Sequence, residues 1–252
     1  PDLLAATLPS PIAGALVLVA AAVLFRWKRI HPEGPVEGRE LLRILRGGVP
    51  FLILSVLGTL NVALDTLLIK PLAGEAAAGI YNASQKLILA LMILPVAVCD
   101  SAFPVWSRES RQAGASRLPL RRILGLLLGA AALAAVILAA FAAPLIRLLY
   151  GEAYAGAAPV LRVHALTLAW MYLNLPLATR LLSQGRLRAL NLAQAGIVAL
   201  HAVLVLVLLP RGGVTGAAAA TAISEGASLA LLGILVAVGP GRAGASGRRN
   251  DQ

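Results

Sequence analysis

The sequence predicts an all-α, polytopic bundle of about seven transmembrane helices. Three observations carry that reading. First, 59% of the 252 residues are hydrophobic and only 13% are charged, where a soluble domain has about 25% charged residues. With a mean hydropathy of +0.85, this excludes an ordinary soluble domain and a disordered chain. Second, the apolar residues fall in long continuous runs. Third, the basic residues sit between those runs, and their density alternates from one connection to the next.

Taken in order, the first run is about 3–25, broken by Pro9 and Pro11, and the second is 49–69. The third is about 77–105, with Pro95 and Pro104 inside it, and the fourth is 123–149. The fifth is about 157–178, the sixth about 190–209 and the seventh about 213–238. At about 1.5 Å rise per residue, a helix over 49–69 is roughly 31 Å long, the depth of a bilayer's hydrocarbon core. Barrel strands alternate apolar and polar residues over about ten positions, and these runs do neither.

The connections hold 6, 1, 5, 1, 3, 1 and 3 basic residues in turn, from the Arg26–Arg46 stretch to Arg242, Arg248 and Arg249. Basic residues favour the cytoplasmic side, so the amino end is expected outside and the tail in the cytoplasm of an inner-membrane protein. The net charge of +11 is then accounted for by loops facing anionic lipid headgroups, and nucleic acid is not expected as a partner. The organisation expected is a transmembrane helix at 1–25, a cytoplasmic basic linker at 26–48, a six-helix bundle at 49–238 and a disordered cytoplasmic tail at 239–252. Within the linker, 36–47 reads either as a surface amphipathic helix or as an extension of the next span. Pro1 in place of Met suggests a fragment or a processed chain, and no basic residue precedes the first run as a signal peptide would require.

Chemistry-bearing motifs do not appear. GxGxxG, Walker, HExxH and GxSxG patterns are missing, and Cys99 is the single cysteine. His31, His164 and His201 have no ligand spacing. No enzyme, cofactor or metal is expected. A retinal receptor would need a lysine in its last helix, and 213–238 has none.

Ionisable groups inside a bilayer are costly, about 2.5–3.5 kcal/mol each on insertion scales, so each is a candidate site. Asp65 reads as an ion-coupling acid or as an interfacial acid near Lys70. Lys86 is about ten residues into its span, either lining a cavity or paired with Asp65 or Asn82. Asp100 reads as an interfacial acid near Arg108. Arg162 either binds phosphate through its guanidinium or snorkels to headgroups. His164 and His201 read as buried, hydrogen-bonded side chains or as proton carriers. Glu225 lies near the midplane of the last run, following the small residues of TGAAAATAIS, and is either an ion-coupling acid or a protonated structural one.

One stretch carries a family likeness. GVPFLILSVLGTLNVALDTLLIKPLAGEAAAGIYNASQKLILALMILPVAVCDSAFPVWSRES, together with GGVTGAAAATAISE at 212–225, resembles the second half of polysaccharide and lipid-linked oligosaccharide flippases. These belong to the multidrug/oligosaccharidyl-lipid/polysaccharide exporter superfamily. The resemblance covers roughly residues 40–238. It implies alternating access, with a lipid-linked saccharide as substrate and membrane lipids around it. Lys86, Arg162 and Asn82 are the expected substrate contacts; Glu225 and Asp65 are the expected ion-coupling residues. Five helices of the first half are missing from the pattern, so a first-half bundle or cell-envelope polysaccharide assembly proteins are expected as partners. A multidrug and toxin extrusion antiporter and a lipid II flippase are the alternatives within the superfamily.

Overall fold

The computed structural model describes residues 38–111 and 118–239, together with Val19 and Val23. The expected helix at 1–25, the linker before residue 38 and the tail beyond residue 239 lie outside the described residues. The chain divides between Gly48 and Val49 into two units, and the functional chemistry lies in the second.

Six helices and one short 3-10 turn make up the described chain, with no strand among the described residues. The helices are α1 (Gly38–Leu91), α2 (Ile93–Arg111), α3 (Leu120–Ala140), α4 (Ala142–Tyr150), α5 (Ala157–Ser183) and α6 (Leu187–Ala237); the turn is Glu152–Tyr154. Three stretches are long and apolar enough to cross a membrane: Gly38–Ser110, Leu120–Ala140 and Leu187–Ala237. The chain is therefore an all-helical membrane protein. The expected count of about seven spans is not established by length and hydropathy. The α5 helix falls short because Arg162, His164, Thr167 and Asn174 interrupt its apolar run.

Two of the three stretches fold back on themselves. Straight, the 54 residues of α1 would extend about 81 Å. Instead Thr66 Oγ1 donates to Asn82 Oδ1 at 2.8 Å, and Gln85 Nε2 donates to the Val62 carbonyl at 3.2 Å. Both pairs are centred near Gly74, whose φ of 89° lies where a side chain would strain the backbone. The same geometry recurs in α6, where His201 and Ser224 meet at 2.9 Å across Gly213, φ 57°. Each glycine thus converts an apolar run into an antiparallel helical hairpin. At the first turn Lys70 Nζ lies 2.9 Å from Glu75 Oε1, and the hydrogen bond and charge of Lys70 hold the Glu75 carboxyl below its ordinary range.

Prolines shape the remaining breaks. Pro95 has no N–H to offer the Leu91 carbonyl four residues back, and the helix breaks at Met92. The freed Leu91 oxygen accepts the Tyr172 hydroxyl at 2.7 Å, which ties α1 to α5. By contrast α5 runs through Pro176 without a break.

The central element is α5, which packs against α6, α3, α2 and α4. Hydrophobic burial does not drive helices together in lipid, so close packing of small residues must. Ala131, Ala142, Ala157, Ala165, Ala217, Ala218 and Ala220 are all fully buried. Large apolar side chains point outward instead, as Leu133, Val136 and Ile137 do on α3, as expected where lipid is the solvent. At the end of the bundle away from the Gly74 turn, fully buried Trp106 donates to the Leu118 carbonyl at 2.9 Å. The Arg180 guanidinium lies 5.7 Å from the Trp106 ring centroid, and its Nη1 is 3.6 Å from Glu109 Oε2.

Candidate functional site

A buried polar cluster lies where the two hairpins meet α5. Each of its members is a polar residue set in an apolar run, and hydrocarbon offers such a group no partner, so it must turn inward. Asp65, on the first arm of α1, is 1% exposed, and its Oδ1 lies 3.0 Å from His201 Nε2 on α6. His201 Nδ1 is 2.9 Å from Ser224 Oγ. Ser224 gives its own hydrogen to the Thr221 carbonyl at 3.0 Å, so it can only accept from His201. Both ring nitrogens of His201 are thus engaged, one by Ser224 and one by Asp65.

A second branch joins α1 to α5. His164 Nδ1 is 3.0 Å from Ser84 Oγ, and its Nε2 is 3.3 Å from the Tyr81 hydroxyl. Tyr81 is fully buried, stands edge-on to the His164 ring, and meets Thr221 Oγ1 at 2.9 Å. The third branch is centred on Glu225. Asn174 Nδ2 donates to Glu225 Oε2 at 2.7 Å and to the Glu225 carbonyl at 3.0 Å, while Asn61 Nδ2 reaches Glu225 Oε1 at 3.5 Å.

Two cavities open on this cluster. The smaller, about 40 Å³, is lined by Asp65, His164, His201, Thr221 and Glu225 among others, room for little more than a water molecule. The larger, about 190 Å³, is lined by Asn61, Asn174, Gln194, Glu225 and Ser228 with apolar neighbours. Glu225 and Asn61 border both.

The expected site residues are placed unequally. Asp65 and Glu225 both line the small cavity. Asp65 is not an interfacial acid beside Lys70, which pairs with Glu75 instead. Asn82 is half-buried and bonds Thr66. Lys86 and Arg162 are exposed, and neither lines these cavities. Arg162 is about 200° around α5 from His164, on a stripe with exposed Leu166 and Trp170, so it faces away from the cluster. Lys86 stands on the same side of its arm as Asn82. Sequence reasoning did not single out Asn61, Tyr81, Ser84, Asn174, Thr221 or Ser224. Their only signal was polarity within apolar runs, as in NVALD and YNASQ, and the same signal is carried by solvent-facing serines and threonines.

Among the described residues, no three His, Cys, Asp or Glu side chains converge as a metal centre would require. No curated protein and no solved structure matches the chain. The sequence model of the polysaccharide biosynthesis protein family matches residues 5–159, more than half of the chain. That match and the all-helical membrane fold agree: the chain belongs to the polysaccharide biosynthesis protein family and serves the synthesis or export of a polysaccharide.

Proposed function

We propose that the chain is part of a flippase that carries a lipid-linked oligosaccharide or polysaccharide precursor across the inner membrane by alternating access. The observation that carries this reading is the cluster itself: buried Asp65 and His201 and half-buried Glu225 line one cavity in an otherwise apolar bundle. Ionisable groups at such depth are expensive, and they mark pathways and coupling sites. The chain acts in this reading as a transporter and not as an enzyme. The two hairpin turns open outside and the tail is cytoplasmic, as the alternation of basic residues implies.

The reading assigns two regions. Asp65 and Glu225 couple ion movement to the conformational cycle. Lys86 and Asn82, on the accessible side of α1, contact the saccharide-pyrophosphate headgroup, with Arg162 meeting phosphate at the outer surface. A first-half bundle, or an assembly protein of the cell envelope, covers the side of the cavity that this chain leaves open.

The experiment is done in cells lacking this gene, where the lipid-linked saccharide reachable from outside is measured in spheroplasts with an impermeant lectin. Deletion is expected to trap the saccharide on the cytoplasmic leaflet, and the restored wild-type gene to return it. An unchanged outer-leaflet fraction in the deletion strain contradicts the flippase reading.

A further inference from the structure

We propose that the groove between α2 and α3 holds one anionic phospholipid of the cytoplasmic leaflet, with an acyl chain in the groove and the phosphate between Arg108 and Arg122. The site is separate from the cavities bordered by Glu225, which neither arginine lines. Two independent observations carry it, one of shape and one of charge.

Both helices pack on α5, yet a groove of about 440 Å³ separates them, lined by Val98, Ser101 and Ala102 of α2 and by Leu118, Ile123 and Leu126. The α2 wall is built from small side chains, which do not reach across to α3. A space of this size is that of an ordinary ligand pocket. It is apolar in character, because Ser101 gives its hydroxyl hydrogen to the Ala97 carbonyl at 2.8 Å. Leu126, on the opposite wall, is 66% exposed, so the groove opens sideways to the bilayer. Hydrocarbon supplies no water to fill such a space, and an acyl chain is the apolar filler at hand.

Charge selects the headgroup. Arg122 stands one turn before Leu126 and Arg108 two turns after Ser101, so both lie on the faces that wall the groove, at the same end of it. That end is cytoplasmic by the density of basic residues, since 101–122 hold five arginines and one acid. Arg108 and Arg122 are exposed, and neither forms an ion pair among the described residues. The acid, Glu109, is turned toward Arg180 at 3.6 Å. Asp100 is about 200° around α2 from Val98 and so faces away from the groove. Arg121 joins Arg122 in the first turn of α3, where the chain places no acid although the helix dipole favours one. Guanidinium groups hold phosphate through paired N–H bonds, and basic clefts between helices at the cytoplasmic surface suit anionic headgroups. A zwitterionic lipid fills the groove as well, but its ammonium group opposes the arginines. Bound there, the anionic lipid ties α2 to α3 where their own side chains do not meet.

Trp106 is a built-in reporter, because it is fully buried and its Nε1 donates to the carbonyl of Leu118, which lines the groove, at 2.9 Å. Trp27→Phe with Trp170→Phe leaves it as the single tryptophan. The purified full chain in detergent micelles is titrated with phosphatidylglycerol brominated on its acyl chains, and separately with phosphatidylcholine brominated in the same way. Saturable quenching of Trp106 is expected at about tenfold lower phosphatidylglycerol than phosphatidylcholine. Arg108→Gln with Arg122→Gln is expected to abolish that difference, and Ala97→Phe, on the groove wall, to weaken quenching by both lipids. If the chain with a single tryptophan fails to fold, the unfolding midpoint of the wild-type chain makes the same comparison, raised by phosphatidylglycerol and not by phosphatidylcholine. Equal effects of the two lipids, a preference that survives the double arginine variant, or quenching unaltered in Ala97→Phe overturns the proposal.

Discussion

Asp65 and His201 are held 3.0 Å apart with side chains about 2% exposed, in an environment where neither tolerates the loss of the other. A buried pair is a weak source of net stability, but breaking one is severe because a polar group is left stranded. His201→Leu alone is expected to destabilise the bundle by about 3–5 kcal/mol. Replacing both residues with leucine is expected to be far milder, since no unpaired group remains. Unfolding midpoints in a detergent titration check the ordering. A double variant as unstable as the single one would mean that the pair contributes more than mutual satisfaction. Little of this pairing was legible in the sequence. Asp65 and His201 are 136 positions apart, and no local spacing relates them. What the sequence did carry was the oddity of each residue in an apolar run. Depth along a helix can be read that way, but rotational position cannot. Asp65 and Glu225 face the cluster, whereas Lys86 and Arg162 are exposed and line neither cavity. In helices that are apolar all round, periodicity gives almost no information on which face is inward.

At the scale of the element, the hairpins explain how so short a chain builds a packed core. The first turn was legible, because Gly74 sits between two runs of spanning length, whereas Gly213 reads as the first residue of the last run. The closeness of the arms was not legible. A Cβ on Gly216 would collide with the Leu208 carbonyl oxygen across the α6 turn, so the two arms approach as only glycine allows. Gly216→Ala is expected to destabilise by about 1–3 kcal/mol through overpacking, and Gly213→Ala by about 1–2 kcal/mol through backbone strain. Gly129→Ala is the contrast. It lies within α3 with nothing within 4 Å of its new Cβ, and it should stabilise by up to about 1 kcal/mol through helix propensity. The same detergent titration ranks the three. If Gly216→Ala proves as harmless as Gly129→Ala, the α6 hairpin is looser than described. The break at Met92 has a comparable logic: Pro95 orphans the Leu91 carbonyl, and Tyr172 takes it up. The proline was visible in the sequence, while the tyrosine that repairs its effect lies 81 positions away.

For the whole molecule, fold class and membrane character followed from composition together with the length and continuity of the apolar runs, because a chain with 13% charged residues has little means of solvating a globule. Family membership accords with that reading. The arrangement that joins fold to function is more demanding. The Gly74 and Gly213 turns must lie on one side of the membrane, so that the arms bearing Asp65, His201 and Glu225 meet at comparable depth. The most direct test is cysteine accessibility in intact cells, in a Cys99→Ala background. Glu75→Cys, Ala153→Cys and Arg211→Cys are predicted to react with an impermeant maleimide added outside, whereas Ala113→Cys and Ala245→Cys are predicted to react only after permeabilisation. Labelling of positions 75 and 211 from opposite sides, or protection of 75, 153 and 211 with 113 and 245 exposed, would contradict the account.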